Sequence, residues 1–209
     1  MKILAVSDQI DDRIYSAQIK QRFPDINLLV GCGDLRYEYL EFLVTALNVP
    51  LVYVPGNHDP CFDPKRTESQ AEGGILLDQR VMRLKGLWLA GMGGSIRYLP
   101  DRVNQYTQGE MYVRLGRILP AVMWNRLVHR RPLDLVIAHS PPFGIHDDDD
   151  LAHTGFAAYR DFIRIFQPRY FLHGHVMYYK GNLVPPATQV GNTCVINVFP
   201  YRVIEVPVP

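Results

Sequence analysis

The sequence predicts an α/β fold built around a parallel sheet, and two observations carry that expectation. The N-terminal part alternates strand, helix, strand, helix, strand with short links, a pattern that implies parallel strands joined by right-handed crossovers. Five apolar, strand-like runs also give out into polar residues, reaching Asp8, Asp34, Asn57, His139 and His175. The carboxyl edge of an open α/β sheet is where ligands collect. With 209 residues, 47% hydrophobic and 21% charged, the chain suits one globular domain with a substantial core.

Residues 2–7 form a continuous apolar run, the pattern of a strand covered on both faces. Residues 11–23 are expected to be a helix stopped by Pro24, and 26–30 the second strand. Over 37–47, Leu40, Leu43, Val44 and Leu47 recur at helical spacing before Asn48-Val49-Pro50 ends the helix. The third strand, Leu51-Val52-Tyr53-Val54, stops at Pro55-Gly56 and leaves Asn57 and His58 on a loop. Residues 75–78, 81–84 and 87–90 read as three short strands of a meander. The glycine-rich loop 91–98 lacks the spacing of a Walker loop or a dinucleotide fingerprint, and is expected to be a crowded loop lining a site. A helical pattern over 108–129 should be divided at Pro120, which removes an interior hydrogen bond. A strand over 133–138 delivers His139, and the long polar loop 140–153 is expected to be functional. A helix over 156–166 and strands over 169–172, 193–198 and 202–206 complete the chain.

Charge and composition narrow the function classes. The net charge of +1 argues against a surface that coats nucleic acid. The nearest approach to a basic stripe, Arg126, His129, Arg130 and Arg131, is expected to be a solvated helix end. Cys32, Cys61 and Cys194 are too few and scattered for a disulfide framework or zinc knuckle, and Cys32 should be a buried thiol. No apolar run approaches the ~20 residues of a membrane span, and Asp8 comes too early for a signal peptide. A cytoplasmic enzyme with no membrane partner is the expectation.

Carboxylate oxygen, amide oxygen and imidazole nitrogen together suit hard or borderline divalent ions. Asp34, Asn57, His139 and His175 would supply that mixture. Each alone has an ordinary role; Asp34, for one, could cap the next helix. Their joint placement at strand ends is what points to a metal.

The order Asp8, Gly33-Asp34, Gly56-Asn57-His58-Asp59, His139-Ser140-Pro141-Pro142 and Gly174-His175 resembles the calcineurin-like metallophosphoesterase superfamily. The similarity runs through nearly the whole chain, and Gly-Asn-His-Asp is its most specific element. The resemblance implies a β-sandwich flanked by helices in α-β-β-α layers, with two divalent transition metals, manganese, iron or zinc, at the strand ends. It implies hydrolysis of a phosphate mono- or diester of a small substrate by metal-activated water. Asp34 would bridge the ions, Asn57, His139 and His175 would complete the second site, and Asp8 would serve the first. His58 would not be a ligand; with Asp34 it would form the catalytic pair, donating a proton or hydrogen bond to the leaving oxygen.

Two departures go together. The family's Asp-x-His reads Asp8-Gln9-Ile10 here, and its Gly-His-x-His reads Gly174-His175-Val176-Met177. Both missing imidazoles belong to the first site, so one ion is expected firmly and the other weakly. Gln9, Asp11, Asp12 or a shifted His173 are local substitutes; otherwise His173 supports or packs behind the site. The alternative reading is a phosphoesterase-fold binding or scaffold protein with little catalysis. Arg97 is a candidate phosphate clamp or else a surface arginine. The run Asp147, Asp148, Asp149 and Asp150 is a solvated face, or else Asp147, Asp150 and His153 close over the site and His153 meets substrate.

Overall fold

Strand β1 (Lys2–Val6) shows why its sequence is apolar without alternation: Ile3 and Ala5 enter one buried cluster while Leu4 and Val6 enter another. A computed structural model describes residues 1–177 and 186–207. In it β1 lies parallel to β2 (Ile26–Gly31), β2 to β3 (Leu51–Tyr53) and β3 to β4 (Gly74–Leu76). The last strand, β13 (Tyr201–Glu205), pairs antiparallel with the other edge of β1. Helix α2 (Tyr37–Leu47) and the short α1 (Ile19–Arg22) cover the outer face through Leu40, Leu43 and Ile19. Asn48 closes α2 in the left-handed conformation, which asparagine tolerates better than most residues.

The second sheet runs β11 (Ala187–Val190), β12 (Thr193–Asn197), β10 (Tyr170–His173), β9 (Leu135–Ala138), β6 (Leu87–Met92) and β5 (Arg80–Leu84). Its four inner strands are parallel and its two edges antiparallel. Helices α3 (Gln108–His129) and α4 (Ala157–Phe166) cover its outer face through Ile118, Val122 and Phe162. A small ribbon, β7 (Ser95–Ile96) with β8 (Gln105–Tyr106), stands apart. Between the sheets, Leu28, Val30 and Val52 meet Leu89, Leu135, Ile137 and Leu172. Each such side chain contributes roughly 1.5–3 kcal/mol by leaving water, so the sandwich is a firm base for its strand-end loops. The result is the mixed α/β architecture expected, two large sheets flanked by helices. Among the described residues no helix is long and apolar enough to cross a membrane.

Three expectations need correction. The helix over 11–23 shrinks to Ile19–Arg22. Asp11 Oδ1 accepts from the Arg13 backbone N–H at 2.9 Å and its carboxylate also grips the Arg13 guanidinium, a local turn that competes with helix. The meander is not one either: β4 joins the first sheet parallel to β3, and the chain crosses at Leu77–Gln79 before β5 opens the second. Helix α3 is not divided at Pro120. Pro120 and Gly116 both sit on the solvent side, where water can take up the carbonyl that loses its partner. Strand β11, which sequence pattern did not reveal, pairs with β12 at the sheet edge.

Candidate metal centre

Asp8, Asp34, Asn57, His139 and His175 follow the carboxyl ends of β1, β2, β3, β9 and β10, and parallel pairing brings those ends together. Three of the five sit in left-handed backbone: Asp8 at φ 63°, Asp34 at 56° and His175 at 66°. Such a turn ends the strand abruptly and swings the side chain over the sheet edge. Two glycines make the crowding feasible. A Cβ on Gly56 would collide with the Asp34 carboxylate, and one on Gly174 with Ser7 Oγ and Asp8 Oδ2.

Ligand atoms of Asp8, Asp34, His139 and His175 all lie within 4.8 Å of one another. His139 Nε2 is 3.3 Å from Asp34 Oδ2 and 2.9 Å from Asn57 Oδ1. The Asn57 amide is oriented by its other end, where Nδ2 donates to the Tyr98 hydroxyl at 3.1 Å. His139 Nδ1 donates to the Cys32 carbonyl at 2.8 Å, which directs Nε2 into the cluster. His175 Nε2 donates to the Ala152 carbonyl at 2.7 Å and leaves the Nδ1 lone pair available. Its backbone N–H donates to Asp8 Oδ2 at 2.9 Å, tying β10's end to β1's. Asp59, buried, accepts from the backbone N–H groups of Gly56 and Asp34 at 2.8 Å each and so stitches two of the loops together.

The electrostatics fit a cation. Burial alone would push the His139 imidazole down, but Asp34 facing it and Asp8 nearby raise it to about 9. Burial alone would raise Asp34; the facing His139 and the His58 N–H bring it to about 2. Burial raises the Asp8 carboxyl above the ordinary range, with His139 opposing. Burial lowers His175 to about 3, aided by His139, so that ring is neutral and able to ligate. Two acceptors, Asp34 Oδ2 and Asn57 Oδ1, meet at His139 Nε2, and a proton there holds the place of a divalent ion. Two carboxylates, an amide oxygen and two imidazoles anchored on backbone carbonyls are a donor set suited to such an ion.

The other candidate residues are distributed unevenly. His58 is exposed; its backbone N–H donates to Asp34 Oδ1 at 2.8 Å and its Nε2 lies 4.0 Å from Asp34 Oδ2. His153 lines the same cleft of about 490 Å³ as Asp8, Asn57 and His175, its ring 5.1 Å from that of His175. Asp150 Oδ2 holds His153 Nδ1 at 2.7 Å, while Asp147 Oδ2 accepts from Gly144 and Gly155 and shapes the loop. Arg97 turns away and forms an ion pair with Glu110 at 2.8 Å. Its neighbour Tyr98 is the residue that reaches the cleft, which residue types alone did not reveal. Ile10 packs beside the outer-face cluster of the first sheet, and Met177 lines the cleft mouth. Asp11 is held by Arg13, and Gln9 and Asp12 are exposed, so none of the three joins the cluster.

His173 lies behind the site, fully buried, in a chain of hydrogen bonds that has one consistent direction. The Thr188 hydroxyl donates to His146 Nε2 at 2.8 Å, His146 Nδ1 donates to His173 Nε2 at 3.0 Å, and His173 Nδ1 donates to the Gly174 carbonyl at 3.1 Å. Both rings are neutral: burial lowers His146 to about 4 and His173 to about 3. This fixes the segment that carries His175.

A family model for calcineurin-like phosphoesterases matches residues 1–179. The chain belongs to this family. It is 24% identical to the uncharacterized protein MJ1162 of Methanocaldococcus jannaschii over 96% of this chain and 88% of that one. Among solved structures, TT1561 of Thermus thermophilus superimposes with a TM-score of 0.63 at 18% identity, covering 94% of this chain and 88% of that chain. Calcineurin-like phosphoesterase YfkN from Bacillus subtilis gives a TM-score of 0.46 at 11% identity, over 100% of this chain and 90% of that one. The family and fold are those the motifs implied, and the Asp and His donors at the strand ends form a candidate metal cluster.

Proposed function

We propose that this phosphoesterase-family chain hydrolyses a phosphate mono- or diester with one firmly held divalent ion. The observation that supports this best is the convergence of Asp34, Asn57 and His139 on one point, with His58 beside them. A bound manganese, iron or zinc ion would polarise a phosphoryl oxygen and make water nucleophilic near neutral pH. The chain's own groups do the rest. Asn57 and His139 are oriented by Tyr98 and the Cys32 carbonyl, so the ligand geometry exists before substrate arrives. His58 stands where the site cleft meets a second one of about 630 Å³ that also contains Asp34. Its exposed side chain lines both, a suitable place to hand a proton to a leaving oxygen. His153, gripped by Asp150, faces the cleft as a hydrogen-bond donor for substrate. Arg97 is committed to Glu110 and has no such part in this reading.

The first ion has less support. With Ile10 packed away, Asp8 and the shared Asp34 are the donors on that side. Purified protein should hold about one manganese, iron or zinc ion per chain and cleave a chromogenic phosphomonoester or diester when that metal is added. Two tightly held ions would refute the weakened first site. One ion with no turnover of either ester would favour the binding-protein reading, for which the losses at Ile10 and Met177 speak.

A further inference from the structure

We propose that the outer face of α3 docks on a membrane surface bearing anionic lipids. Helices that cover a sheet turn one apolar stripe inward and a polar one outward. Helix α3 buries Met111, Leu115, Ile118 and Val122, yet its opposite side presents Val113, Met123, Trp124, Leu127 and Val128 to solvent. Trp124 is 66% exposed and Leu127 70%, so this stripe is not the rim of the core. From Met111 to Leu133 there is no aspartate or glutamate, but there are five arginines. Arg114 points inward to Asp78, and the others edge the stripe or its C-terminal end.

Next to that end, α3 and α4 leave a cleft of about 640 Å³ containing Arg126, Arg130, Arg131 and Arg169. Arg131 and Arg169 share the buried Asp134, and Arg126 donates to the Ile165 carbonyl. Arg130 is exposed and pairs with no acid among the described residues. The cleft thus keeps an excess of positive charge in a chain whose formal total is only +1. Its occupant must offer negative charge beside apolar surface.

An anionic bilayer offers both: phosphates for the arginines, and the acyl boundary for Trp124 and Leu127. A second copy of the chain, meeting this face about a two-fold axis, would set arginine against arginine. Nucleic acid would satisfy the arginines and leave the aliphatic side chains in water. The helix is already folded against the sheet, so docking orders no new backbone. Among the described residues no helix is long and apolar enough to cross a bilayer, and lying on one needs no such helix; such docking departs from the expectation of no membrane partner.

The test is flotation of the full chain with phosphatidylcholine vesicles and with phosphatidylcholine–phosphatidylglycerol vesicles, at low and high salt. Binding should require the anionic lipid, weaken with salt and fall by at least about five-fold for each arginine reversed in Arg126→Glu and Arg130→Glu. Trp124→Ser with Leu127→Ser should remove binding while leaving the unfolding midpoint in place, since both side chains are exposed. In a Trp88→Phe background, Trp124 emission should move to the blue with anionic vesicles and stay put with neutral ones. No binding to anionic vesicles would overturn the proposal, as would binding that both sets of substitutions leave unchanged. Dimerisation or oligonucleotide binding abolished by the same substitutions, without vesicle binding, would also overturn it.

Discussion

His139 Nε2 lies 3.3 Å from Asp34 Oδ2, with the ring fully buried and its Nδ1 held by the Cys32 carbonyl. The ring cannot turn away without abandoning a buried carbonyl, so it faces the carboxylate whether the companion is a proton or a metal.

His139→Gln should therefore cost most of the metal affinity. A fall of at least 100-fold in manganese or zinc binding is expected by titration calorimetry, along with loss of the rise in unfolding midpoint that added metal gives the parent chain. Asp8→Asn should change the affinity for the tightly held ion far less. Equal losses in the two variants would make Asp8 a ligand of that same ion, as its place within the 4.8 Å cluster would allow.

Tyr98→Phe isolates the orientation of Asn57. The hydroxyl accepts from Asn57 Nδ2 and so points Oδ1 toward His139. Removing it should weaken metal binding roughly 10-fold without changing stoichiometry. Unchanged affinity would mean that Asn57 is held by its loop alone.

His58→Ala should reduce turnover of a chromogenic phosphodiester or monoester by roughly 100-fold or more while leaving bound metal unchanged. The side chain is exposed, so the unfolding midpoint should stay close to that of the parent. Undiminished turnover would remove His58 from the reaction.

The double substitution Ile10→His with Met177→His should raise metal content toward two ions per chain and increase turnover. Ile10 is partly buried, so some loss of stability is expected. Metal content measured with Met177→His alone would separate the two contributions.

Stability should fall below neutral pH, and His146 accounts for one share of that fall beside His173 and His175, which burial lowers in the same direction. The folded value of His146 is lowered by burial to about 4 from the ordinary 6.5. Above 6.5 the ring is neutral in both states and the contribution is whole. Between 6.5 and about 4 only the unfolded chain takes up the proton, so stability declines as pH falls. His146→Gln should flatten denaturant midpoints across that window by up to one proton's worth. A pH profile identical to the parent's would assign the acid sensitivity elsewhere.

The strand ends were legible because a strand buried on both faces writes an unbroken apolar run, and the polar residue that ends it is conspicuous. The Asn57–His58 loop and the Gly33-Asp34 and Gly174-His175 turns stood out for that reason. The region around Asp11 did not, since a single carboxylate folding back on Arg13 outweighs helical spacing. Sheet membership of β4 and β5 is set by partners far along the chain, invisible in two short runs that look alike. Arg97 had the right chemistry for phosphate, but Glu110, in the capping box of α3, stood within reach of it. Tyr98 and the Ala152 carbonyl act by position rather than by type, and so gave no signal.

The left-handed turns at Asp8, Asp34 and His175 set folding against chemistry. A residue with a side chain holds that conformation at about 1 kcal/mol or more, whereas glycine adopts it freely. A chain with nothing to do but fold could relax at all three places by losing the side chain. Here two carboxylates and an imidazole occupy them instead, braced by Asp59, by the Gly56 and Gly174 contacts and by the neutral histidines behind. Robustness has been surrendered at the three points where it would have erased the ligands.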